Sequence, residues 1–296
     1  MLRWMRDQGF EYVELSHGIR ITLVPGILDA VKAGVVKVSS VHNFCPLPHG
    51  SMHPNPNMYE PASLNAGERN LWFKHTSRTL EFARDVGSRY AVVHGGSVHH
   101  FWRSPAVRVS KFLEGVDLEN PLEDKKLRKL RERALKKIRI KAQAHMDALK
   151  ESIDRILPVA KSCGVTIGLE NREDLDELPM DDAMPGFLEE YKDCPWLGFW
   201  YDPGHAQEKY DYGVQLPEDI LKSCGSHLAG VHFQDYDQDG HGHRALGTGV
   251  VDFEPIRQYL KPETACVLEL GPSQREPQIA KSKAYLEQYL RGEAPL

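Results

Sequence analysis

The segment "FWYDPGHAQ", residues 199–207, closes an apolar run on Asp202, breaks at Pro203-Gly204 and presents His205 three residues after the carboxylate. The residues before the break are small and aromatic, the reading for a buried strand. A strand that ends on a carboxylate and turns at once to an imidazole brings two reactive groups to one end of a sheet. Whether that end is a site depends on how the other strands finish.

Six further runs resemble it. They are "YVELS" from Tyr12, "VVKVSSVHNF" from Val35, "YAVVHGG" from Tyr90, "TIGLENRE" from Thr166, "LAGVHFQD" from Leu228 and "CVLELGP" from Cys266. Each is rich in β-branched or aromatic residues, and Gly, Pro or Asn bounds it. Between them the spacing predicts helices over Leu71–Val86 and over Ile138–Cys163, the latter stopped by Gly164 and interrupted by Pro158. Alternation of strands and helices implies a parallel sheet with right-handed crossovers. The expected fold class is α/β, a (β/α)8 TIM barrel, whose chemistry lies at the C-terminal ends of the strands. An eighth strand is not legible. The chain opens on a helical "LRWMRDQG" that runs straight into "YVELS". The expectation is a barrel lacking its first strand in this chain, with an exposed edge on either side of the gap. Neither repeat nor linker stands out, so residues 1–296 are expected to form one domain.

Composition narrows the function classes. A formal net charge of −5 over 296 residues gives no global field to attract nucleic acid or an anionic membrane. No run approaches the ~18 apolar residues of a membrane span, and the N-terminus has no signal-peptide pattern. Five scattered cysteines without a C-x-x-C pair read as reduced thiols in a cytoplasmic protein. Residues 125–141, "KKLRKLRERALKKIRIK", hold ten Lys/Arg against Glu132 alone. Leu127, Leu130, Ala134 and Ile138 recur there at helical spacing, so the stretch reads as a solvated amphipathic helix on the outside of the barrel. The Pro- and His-rich loop after Phe44, "CPLPHGSMHPNPNMYEPAS", is expected over the barrel mouth.

The strand ends collect His42, His94, Glu170, Asp202 with His205, His232 and Glu269, and His241 and His243 follow in "DGHGHRALGTG". A single histidine of this kind is more often a hydrogen-bonded core residue than a ligand. The acids are harder to dismiss. "IGLEN" and "VLELG" set a carboxylate in an apolar strand, where an unpaired charge costs several kcal/mol. A cation held between Glu170 and Glu269 offsets that cost. Carboxylates mixed with imidazoles suit Mn²⁺, Zn²⁺ or Co²⁺. The H-x-H pair fits chelation if its backbone is extended.

Taken in order, "VHNF", "VVHGG", "GLENRE", "YDPGHA", "GVHFQD", "HGHRALGTG" and "VLELGP" resemble the xylose isomerase-like TIM-barrel superfamily, over nearly the whole chain from Leu2. That superfamily includes sugar isomerases and epimerases and apurinic endonucleases of the endonuclease IV type. The resemblance to ketose 3-epimerases implies one divalent metal on Glu170, Asp202, His232 and Glu269, with His205 facing substrate. The resemblance to the endonuclease branch implies up to three zinc ions, adding His42, His94, His205, His241 and His243. In that branch the position of His241 is normally an aspartate, and the tyrosine expected three residues after His42 is Cys45 here.

The function expected first is a divalent-metal-dependent isomerase or epimerase of a sugar, polyol or keto-sugar. Glu170 and Glu269 would move a proton through an enediolate with help from His205, while Arg172, Arg244 and His94 bind substrate. The alternative is a trinuclear zinc phosphodiesterase acting on abasic DNA. A second alternative is a non-catalytic binding protein or a subunit completed by a partner. The expected partner is a small sugar or polyol, with neither membrane nor nucleic acid, and with room for a homo-oligomer.

Overall fold

The computed structural model describes residues 1–51, 53–116 and 118–293. The loop and domain expectations that include Met52, Asp117 and residues 294–296 lie at those positions outside the described residues. Seven parallel strands are adjacent in chain order: β1 (Tyr12–Leu15), β2 (Lys37–His42), β3 (Tyr90–Val93), β4 (Thr166–Glu170), β5 (Leu197–Tyr201), β6 (Leu228–Phe233) and β7 (Ala265–Leu268). Every neighbouring pair is parallel. The seven runs picked from the sequence supply one strand each.

The strands are covered on both faces by what surrounds them. β3, β5 and β6 are buried at every residue, which is why they read as unbroken apolar runs. β1 and β7 are buried at fewer positions, and they are the two strands that lack a partner on one side. This is a TIM barrel short of one strand, with a seam between β1 and β7. Gln8, which follows α1 (Leu2–Asp7), donates through Nε2 to Glu276 Oε1 at the start of α9 (Glu276–Leu290) at 2.9 Å.

Between the strands run α2 (Val24–Lys32), α3 (Ala66–Asp85), α4 (Val107–Leu113), α5 (Lys125–Cys163), α6 (Met184–Glu190), α7 (Pro203–Asp211) and α8 (Pro217–Cys224). Two of them begin earlier than the apolar periodicity predicts, because side-chain caps set their starts. Asn65 Oδ1 accepts from the backbone N of Gly67 and Glu68 at the head of α3, and Asp124 accepts from Leu127 N at the head of α5. The basic stretch 125–141 and the predicted helix 138–163 are therefore one helix of 39 residues. Leu127, Ala134 and Ile138 are buried and Leu130 packs beside them, so the apolar stripe faces the barrel. Gly164, at φ 68°, ends the helix in the left-handed region, as its sequence position suggests.

Among the described residues, no helix is long and apolar enough to cross a membrane.

Candidate metal centre

Glu170 is the last residue of β4 and is 1% exposed. Its Oε1 lies 2.9 Å from Nδ1 of His232, on β6. Its Oε2 lies 2.9 Å from Nε2 of His94, which follows β3, and 3.8 Å from Nε2 of His42, which ends β2. Burial alone would raise the Glu170 pKa, but hydrogen bonds from His232, His42 and His94 hold it well below the ordinary value. Glu269, directly after β7, brings Oε2 to 3.1 Å from the same His232 Nδ1. Burial raises its pKa, and the charges of Glu170 and Asp202 add to that against the His232 charge. Two neighbouring carboxyls are thus pushed in opposite directions.

Asp202 is placed by Asn171. Asn171 Nδ2 donates to the Asp202 carbonyl at 2.9 Å, and Asp202 N donates to Asn171 Oδ1 at 2.7 Å, a two-point clamp between the ends of β4 and β5. The Pro203-Gly204 break then starts α7. Asp202 Oδ1 caps that helix by accepting from His205 N at 3.0 Å, and Oδ2 accepts from Gln234 Nε2 at 2.6 Å. Aspartate, turn and histidine in 199–207 are one N-cap, and the cap returns His205 to the cluster. Its Nδ1 lies 2.9 Å from the Asn171 carbonyl and 3.7 Å from Asp202 Oδ2, and its Nε2 lies 3.1 Å from Glu173 Oε2. Burial would lower the His205 pKa, but the charges of Asp202 and Glu173 raise it to about 9.

One donor atom each from Glu170, Asp202, His232 and Glu269 falls within 4.8 Å of the others, and so does one each from His42, His94 and Glu170. The two sets share Glu170. His94 Nε2 and Glu269 Oε2 are among the buried atoms that lack a well-formed hydrogen bond, although Glu170 Oε2 lies 2.9 Å from the first and His232 Nδ1 3.1 Å from the second. Burial and the charge of Arg172 lower the His94 pKa to about 3, against the opposing pull of Glu170. Three carboxylates around an imidazole fit a divalent cation of intermediate softness.

Other expectations are revised. The H-x-H pair does not point one way. His243 has φ 55°, which reverses the chain, and its Nδ1 stays 3.8 Å from Glu269 Oε2. His241 is 63% exposed and pairs with Asp237 Oδ1 instead. Arg244 is not brought to the cluster either, because its Nε donates to Asp237 Oδ2 at 2.7 Å. Arg172, in contrast, is buried at the cluster, paired with Glu170, Glu173 and Glu177. The loop after Phe44 reaches the mouth, where Asn57 Oδ1 lies 2.7 Å from His94 Nδ1.

Sequence reasoning missed Glu14, Asn171, Glu173 and Gln234. Glu14 carries the signal used for Glu170, a carboxylate inside an apolar strand. Asn171 directly follows Glu170, and Gln234 lies two residues after His232.

The family profile described as "Xylose isomerase-like TIM barrel" matches residues 2–289. The chain belongs to this family. Among solved structures, a D-tagatose 3-epimerase-like protein aligns with TM-score 0.63 and 19% identity, covering 95% of this chain and 89% of its own. The 3-keto-D-glucoside 4-epimerase YcjR of E. coli aligns with TM-score 0.64 and 16% identity, over 97% and 92%. The D-psicose 3-epimerase of Clostridium cellulolyticum H10 aligns with TM-score 0.62 and 11% identity, over 100% and 93%. At these identities the likeness is one of fold. A search of curated sequences finds no match.

Proposed function

We propose that the protein is a divalent-metal-dependent isomerase or epimerase of a sugar, polyol or keto-sugar. The observation that carries this reading is the convergence of Glu170, Asp202, His232 and Glu269 on one point at the C-terminal end of the barrel. The epimerases among its structural neighbours support the substrate class.

Glu170, Asp202, His232 and Glu269 would hold one Mn²⁺, Zn²⁺ or Co²⁺. Bound there, the cation supplies Lewis-acid polarisation of a substrate carbonyl and neutralises enediolate charge. The protein residues do the rest. Glu269 is the carboxylate with a raised pKa and a side chain 26% exposed, so it is the better placed to take the proton from the carbon beside the carbonyl. Protonated Glu269 then returns the proton to the adjoining carbon of the enediolate, and Glu170, held ionised by its buried imidazole neighbours, is the acceptor available from the second position. His205 is fixed by Asp202, Glu173 and the Asn171 carbonyl, and there it orients a substrate hydroxyl. Arg172 keeps the excess negative charge of this end balanced and faces substrate beside His94. We place the protein in the cytoplasm on its five free cysteines.

A second reading has its own observation. His42 and His94 share Glu170 with the first set, which favours room for a second cation and hence phosphodiester hydrolysis on a multinuclear centre. Solvent-deuterium exchange into ketoses and inosose-like polyols tests the first reading. Exchange that disappears in Glu269→Gln supports it. Cleavage of an abasic-site duplex without exchange into any sugar overturns it.

A further inference from the structure

Glu14 has no role in the chemistry above, yet it is a buried carboxylate in contact with a proposed ligand. It lies on β1, where the pairing with β2 slips: Val13 is opposite Val38, but Glu14 is opposite Ser40. Irregularities of this kind re-aim a side chain next to a site. Ser40 Oγ donates to Glu14 Oε2 at 2.6 Å. Both Glu14 oxygens lie 3.2 Å from Nε2 of His232, on the opposite side of the barrel. The side chain of His232 is fully buried, and that of Glu14 is 10% exposed.

An ionised carboxylate only accepts, so His232 Nε2 must carry the hydrogen between them. The other nitrogen, Nδ1, faces Glu170 Oε1 and Glu269 Oε2. We propose that Glu14 is the positioning residue of the metal centre: held by Ser40 and the strand irregularity, it fixes His232 with the hydrogen on Nε2 and the lone pair of Nδ1 turned toward the cation. Partners of this type orient the imidazole and raise its basicity, and their loss weakens metal binding. The inference rests on the metal-binding reading of Glu170, Asp202, His232 and Glu269.

The test compares wild type, Glu14→Gln and Ser40→Ala by chelator competition with Mn²⁺ and Zn²⁺. Long-range ¹⁵N–¹H spectra of histidine-labelled protein are recorded in parallel. Glu14→Gln is expected to weaken binding about 10- to 100-fold, and Ser40→Ala to weaken it less, in the same direction. Loaded wild type is expected to show His232 protonated on Nε2. Glu14→Gln with wild-type affinity, or loaded His232 protonated on Nδ1, overturns the proposal. So does a variant whose melting temperature falls equally with and without metal while its affinity is unchanged, because that is a merely structural role. If Glu14→Gln does not fold, Ser40→Ala decides: unchanged affinity and tautomer overturn the proposal. Failure of wild type itself to bind metal removes the underlying reading, whereas wild-type binding that Glu14 and Ser40 do not influence removes this inference alone.

Discussion

His232 Nδ1 lies 2.9 Å from Glu170 Oε1, a contact between β6 and β4 across the barrel. Glu269 reaches the same nitrogen at 3.1 Å and Glu14 faces the other, so carboxylates flank the ring at both nitrogens. Burial lowers the His232 pKa, but the charges of Glu269 and Glu14 and hydrogen bonds to Glu14 and Glu170 outweigh it and raise the pKa well above 6.5. A proton on Nδ1 and a metal cation compete for one position. Metal uptake therefore releases a proton, and apparent affinity is expected to fall as pH drops, approaching about tenfold per unit. Chelator competition across a pH series checks the slope, and a flat profile contradicts it.

Because Glu170 is shared by both donor sets, Glu170→Gln is expected to remove all bound metal and all activity. Glu269→Gln touches only one set. It is expected to abolish proton exchange while leaving His42, His94 and Glu170 able to retain weakly bound cation. Metal content and exchange measured on the two variants side by side distinguish them.

Asp202 caps α7 and is a proposed metal ligand, and two substitutions separate these roles. Asparagine is as good an N-cap as aspartate, so Asp202→Asn keeps the start of α7 but is expected to lose metal affinity. Asp202→Ala loses both, with an additional stability cost of about 1 kcal/mol from the missing cap. Denaturant unfolding of both metal-free variants reads the difference.

Trp200 supports His232 from below, with ring centroids 5.2 Å apart. It fits because Gly168 and Gly230 flank it: a Cβ on Gly168 would lie 2.6 Å from Trp200 Cε3, and one on Gly230 would also collide with the ring. Gly230→Ala is expected to destabilise the fold by about 1–3 kcal/mol and to weaken metal binding by tilting His232. Calorimetry and metal titration check both parts.

The pair of His205 and Glu173 gives the metal-free protein its own pH dependence. The folded pKa of His205, about 9, lies above its ordinary 6.5. Its contribution is fully present below about pH 6.5 and is lost as pH rises through 9. For Glu173, burial raises the pKa, but the charges of His205 and Arg172 bring it down to about 2. Its contribution is present above about pH 4.5 and is lost as pH falls through 2. Glu173→Gln is expected to flatten the alkaline side of the stability curve, since His205 loses a partner.

The barrel was legible because β3, β5 and β6 are buried throughout and leave nearly unbroken apolar runs, and the other four strands showed as β-branched or aromatic runs bounded by Gly, Pro or Asn. The helix starts at Asn65 and Asp124 were not legible, since caps lie outside the apolar periodicity. At the site, Glu170 and Glu269 stood out because charge inside an apolar strand demands compensation, while Asp202 and His232 joined them as expected ligands through the resemblance to the xylose isomerase-like superfamily. Glu14 in "YVELS" obeys the same rule and was passed over. His241 and His243 misled because the expectation assumed extended backbone, and φ 55° at His243 turns the chain between them. Arg172 and Arg244 looked alike in sequence. Only the fold separates the one buried among three carboxylates from the one engaged by Asp237.

Elemental analysis of freshly purified protein tests the central claim most directly, with Glu170→Gln prepared in parallel. The account predicts about one equivalent of Mn, Zn or Co per chain, removable by chelator with a fall in melting temperature, and none in the variant. Two or three equivalents would move the function toward phosphodiester chemistry. Wild-type protein that carries no metal, takes up none on dialysis and melts at the same temperature with or without added cation contradicts the account.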